Sequence, residues 1–148
     1  MNYATIHIVH LLCAVLFIGV VFFEVVILEG VRRRIGDELM PQVEEGIISR
    51  AKLVMPWVVA TLFLSGIGLT HWHVRGKDWG DLVSSSFHIL LGLKILLALS
   101  VLIHFITAMR SAQNGCMSST RFQVTHLSVF VHMLAIVILA KLMFYWSG

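Results

Sequence analysis

Charge is scarce in this chain. Asp, Glu, Lys and Arg make up 13% of its 148 residues, against about 25% in soluble globular domains. What charge there is avoids four long apolar segments, and 58% of the residues are hydrophobic, with a mean hydropathy of +0.90. That combination excludes a soluble domain, and the sequence reads as a single-domain, all-α, polytopic membrane protein built as a four-helix bundle. Cysteine is as sparse: Cys13 lies in the first apolar segment and Cys116 in a polar loop at the opposite end of a helix. A disulfide framework is excluded, and Cys13 reads as a small buried hydrophobe. The net charge of +3 comes without a basic tract interleaved with aromatics, which excludes nucleic acid as a partner. The first segment also lacks a basic leader and a small-residue cleavage site, so it is expected to stay as a helix rather than act as a signal peptide. No internal repeat stands out.

Four spans are predicted, at about 3–28, 53–72, 87–109 and 124–146. Each holds close to the ~20 apolar residues that cross a ~30 Å hydrocarbon core. Only helices satisfy their own backbone groups in lipid without closing into a barrel. Tyr3, Trp72, Trp79, Tyr145 and Trp146 fall at span ends, as an aromatic belt would. Pro56 is placed near the first turn of the second helix, where a missing N–H is tolerated. The polar stretch 29–52 is predicted as a loop whose middle, Asp37 to Ile48, could form a short amphipathic helix. That loop and the one from Arg110 to Arg121 carry seven Lys/Arg, while the opposite side offers only Arg75 and Lys77. The positive-inside rule therefore puts both basic loops in the cytoplasm and both termini on the outer, periplasmic side of a bacterial inner membrane. Gly66-Ile67-Gly68 and Gly92 would permit close helix contact, or leave room beside a flat cofactor.

What the chain has in plenty is histidine, eight in all, most of them inside or at the ends of the apolar spans. An ionisable group at bilayer depth is costly and normally faces a protein interior to serve a ligand, a metal or protons. Topology and the ~1.5 Å helical rise sort these groups into two layers. The outer layer holds His7, His10, His71, His73 and His88, with Lys94 and Lys141 one to two turns in. The inner layer holds His104 and His126, with His132 nearer the midplane and Glu24 in the same half. Two facing imidazoles at like depth can hold a haem, which pairs His10 with His71 or His88, and His104 with His126 or His132. The bland readings stay beside these: solvated histidines for His7, His71, His73 and His88, and interhelical hydrogen bonds for His10, His104 and His132. Lys94 either snorkels outward or meets the carboxylate of a haem propionate or a substrate. Glu24 either pairs with Lys52 or Arg110, or carries protons.

The run His10-Leu11-Leu12-Cys13-Ala14-Val15-Leu16-Phe17-Ile18-Gly19, continued by Phe22-Phe23-Glu24-Val25-Val26, resembles the first helix of CopD-like copper-resistance membrane proteins. Gly92-Leu93-Lys94-Ile95-Leu96-Leu97 is similar to the lysine-bearing third helix of the same superfamily, which includes the HemJ-type protoporphyrinogen oxidases. The resemblance implies a small four-helix membrane protein with haem b, in which His10 and Lys94 are the required residues.

Three functions are compatible with these residues. The first is a membrane b-type cytochrome carrying one or two haems and moving electrons between a donor such as quinol and an outer acceptor. The second is copper or zinc transport through an outer site of His7, His10, His71 and His73, since histidines spaced i,i+3 share a helix face. The third is a protoporphyrinogen oxidase. A non-catalytic assembly role and a homodimer are further expectations.

Overall fold

The computed structural model describes residues 2–113 and 119–145. All regular structure among them is helical, and four helices are long and apolar enough to cross a membrane: Tyr3–Gly36, Glu38–Val74, Ser86–Ser111 and Val124–Tyr145. The chain divides into two compact units, Met1–His73 and Val74–Gly148, and each is an antiparallel helical hairpin.

The first unit begins with α1 (Tyr3–Phe22), whose free amide ends are met by Asn2, its side chain accepting from the Ala4 amide at 2.7 Å. One π-helical turn follows (Phe23–Leu28), and then α2 (Glu29–Val74), which is broken at Gly36. There φ is 75° and ψ 172°, a region essentially reserved for glycine, and the chain reverses there. The contacts step evenly along both arms: Arg32 meets Glu44, His10 meets Leu62 and Ser65, Ile6 lies against Gly68, and Tyr3 meets Trp72. That register puts Glu24 level with Lys52. From Tyr3 to Glu24 is ~30 Å of helix, the thickness of a hydrocarbon core. Beyond Glu24 the two arms continue for ~18 Å to the bend at Gly36.

The stretch 29–52, predicted as a loop, is thus helical throughout except at Gly36. It is the far end of two long rods rather than a loop with a short separate helix. Two interactions hold it. Leu28 and Met40 are buried between the arms, and the Arg32 guanidinium donates to Glu44 across them while reaching Glu29 at 3.4 Å. Composition misleads here because this end has only one buried stripe and many solvated charges. Pro56 consequently lies well inside the second rod, and Pro41 stands nearer the bend, five residues after Gly36. Replacing Gly36 by alanine forces a side chain into the +75° conformation. It should cost about 1–3 kcal/mol, read as a lower melting temperature in detergent. An unchanged melt would mean that the bend does not depend on glycine.

In the second unit a short helix α3 (Trp79–Ser84), not anticipated from sequence, leads into α4 (Ser86–Gln113) and α5 (Ser119–Tyr145). The predicted ends 87–109 and 124–146 fall within a few residues of these, with Trp146, like Cys116, outside the described residues. Phe87 packs edge-on to Phe144 at 5.9 Å, and Ser100 meets His132. These two contacts fix one antiparallel register, with Val101, Val129 and Met133 buried in the seam. In both units the outward faces are apolar: Ile8, Leu11, Leu12, Val15 and Leu16 are each more than half exposed on α1. Water would penalise a band of that size, and lipid would not.

Candidate functional site

His10 sits at the contact between the arms of the first unit. Its Nδ1 lies 3.0 Å from the Leu62 carbonyl oxygen and 3.2 Å from Ser65 Oγ. A carbonyl can only accept, so Nδ1 carries the proton, and Nε2 is the lone-pair nitrogen of the neutral ring. Ser65 is 92% buried. Its hydroxyl donates to the Thr61 carbonyl at 2.7 Å, which leaves the oxygen able to accept from His10. The ring lies over Gly66, where an added Cβ would come within 3.2 Å of Cε1. Gly68 takes Ile6 in the same way, at 3.4 Å. The glycine pair therefore admits side chains of α1, which selects close helix contact over a gap beside a cofactor.

Of the partners expected for His10, His71 is exposed and lies five residues beyond Gly66, ~7.5 Å further along the helix. The first unit does not bring them together. His88, half-buried against the edge of the Phe87 ring at 5.4 Å, belongs to the second unit. At the terminal end of the first unit, His7 and His73 flank Tyr3 at 5.8 and 5.9 Å, with Trp72 at 6.1 Å. His73 Nδ1 is held by the Leu69 carbonyl at 2.8 Å. Of the four outer histidines expected to share a metal, two thus gather around a tyrosine. Among the described residues no three His, Cys, Asp or Glu side chains are grouped so as to hold a metal ion.

The second unit brings two histidines of its long apolar helices into one cluster. His104 and His132 face each other with ring centroids 5.7 Å apart and planes at 43°. His104 Nδ1 donates to the Ser100 carbonyl at 2.8 Å, and His132 Nδ1 to the Ser128 carbonyl at 2.7 Å. Both rings are therefore the same tautomer, with Nε2 as acceptor. Ser100 Oγ lies 3.3 Å from His132 Nε2 and donates to it. Of the two partners considered for His104, His132 meets its ring; His126 is half-buried, about level with Ile106 in the hairpin register. Lys94 is half-buried seven residues before Val101, on the same face of α4.

Ser65 and Ser100 were not apparent as functional from sequence. Ser65 carries no local signal, whereas Ser100 stands four residues before His104 and Ser128 four before His132, the spacing at which a histidine bonds the backbone carbonyl one turn back. No protein-family model, curated protein or solved structure matches this chain.

Proposed function

We propose that the chain is a membrane-embedded haem b protein that moves electrons, with His10 as the residue that would hold the haem. The observation that supports this reading is the pinned imidazole of His10. Its Nδ1–H is held by Leu62 and Ser65, so an iron would meet the ring through Nε2, the orientation in which metal-bound histidines are normally fixed by a second partner. The donor chemistry fits a haem iron, which would supply one-electron redox chemistry when bound. The basic ends, including the projecting Arg32–Lys52 end of the first unit, face the cytoplasm by the positive-inside rule.

The fit is poorer at His104 and His132. A macrocycle gripped by both rings would have to pass between two helices already packed on Val101, Val129 and Met133, with the Ser100 hydroxyl at His132 Nε2. That pair suits something smaller or more flexible. The test is pyridine haemochrome quantification of the protein purified after expression with ample haem. About one haem per chain is expected, and a colourless preparation removes the reading. Elemental analysis of the same sample tests the competing copper or zinc reading.

A further inference from the structure

We infer that His104 and His132 form a binding site for a membrane-dissolved quinol, recognised through its hydroxyl groups. The two Nδ1–H groups are committed to Ser100 O and Ser128 O at 2.8 and 2.7 Å. What the pair offers a ligand is therefore two acceptor nitrogens, not donors. At 3.3 Å the Ser100 hydroxyl is a long bond to His132 Nε2, well beyond the ~2.8 Å usual for hydroxyl donors, and easily displaced.

Charge then narrows the ligand. From Leu82 to Gly148 the chain holds no Asp or Glu, so a cation bound between neutral imidazoles would have no counter-charge in this hairpin, a large penalty at apolar depth. Two neutral acceptors equally give no attraction to an anion. The ligand is neutral and donates hydrogen bonds. Position narrows it further: Ser100 lies fourteen residues into α4, ~21 Å along the helix. Around it Leu99, Ile103 and Val131 are about half exposed or more. A ligand reaches this place from the lipid phase. A quinol meets all three conditions, and its oxidised form does not, because a quinone only accepts. The choice of quinol among lipophilic alcohols rests on the proposed redox role; the acceptor site does not.

The experiment is calorimetric titration of the purified full chain in lipid nanodiscs with decylubiquinol and, separately, decylubiquinone. Decylubiquinol should bind saturably and more tightly than decylubiquinone, a comparison that needs no variant. His104→Ala and His132→Ala should each weaken decylubiquinol about five- to tenfold, the value of one neutral hydrogen bond. Ser100→Ala, which releases His132 Nε2, should bind at least as tightly as the natural chain, an effect no purely structural role predicts. Absence of saturable binding, tighter decylubiquinone, or unchanged affinity in both histidine variants overturns the site. Haem is counted in the same samples. A chain that binds decylubiquinol without haem refutes the haem reading alone, and a haem-bearing chain indifferent to decylubiquinol refutes this site alone.

Discussion

His10→Ala is expected to leave a folded, helical protein that has lost its haem. Partners that merely orient a metal-bound histidine are worth about 10- to 100-fold in affinity, so loss of the ligand itself should cost more, and the Soret band should fall to background. The fold should survive because His10 is half-buried and its removal deletes one hydrogen-bonded ring rather than a core side chain. What remains is Ser65, still bonded to Thr61 at 2.7 Å. A stability loss of ~1–3 kcal/mol is the expected upper scale. Circular dichroism and gel filtration check the fold, and the absorption spectrum checks the haem. His104→Ala and His132→Ala should keep their haem, which separates the two clusters.

The second large effect comes from a position with no polar atom in its side chain. Gly66→Leu should abolish haem binding as fully as loss of His10, although His10 is still present. An added Cβ stands 3.2 Å from His10 Cε1 and 3.5 Å from Nδ1. Alanine there requires a shift of a few tenths of an ångström, at the low end of the ~1–3 kcal/mol of overpacking. Leucine would occupy the seat of the ring and break its bonds to Leu62 and Ser65. A graded series, glycine above alanine above leucine in haem content, is the expected outcome. By contrast, Gly19→Ala on α1 has open space around its new Cβ and should bind haem normally. If Gly66→Leu kept its haem, the seat of His10 over this glycine would not matter to the ligand.

The parts of this molecule legible in sequence are those governed by transfer from water. Exclusion of charge from four runs located the four long helices, and the aromatics Tyr3 and Trp72 meet at one end of the first unit's apolar band. The projecting end was not legible. Residues 29–52 are polar enough for a loop, and what makes them helical is non-local: burial of Leu28 and Met40, and Arg32 meeting Glu44 twelve positions away. The histidines show the same division. Depth alone placed His104 beside either His126 or His132, since both lie on α5 within reach. What distinguishes His132 is its ring contact with His104 across the two helices, with centroids 5.7 Å apart. Likewise His10 stood out as an ionisable group in an apolar run, but its tautomer depends on a carbonyl 52 positions away, which no local pattern encodes.

Imidazole rescue of His10→Ala tests most directly whether His10 Nε2 holds the iron of a haem, as proposed. The variant, purified without haem and then given haem together with free imidazole, should regain the absorption spectrum of the natural protein, saturably with imidazole and not with haem alone. A natural protein that is colourless, or a His10→Ala variant whose haem spectrum is unchanged without imidazole, would contradict it.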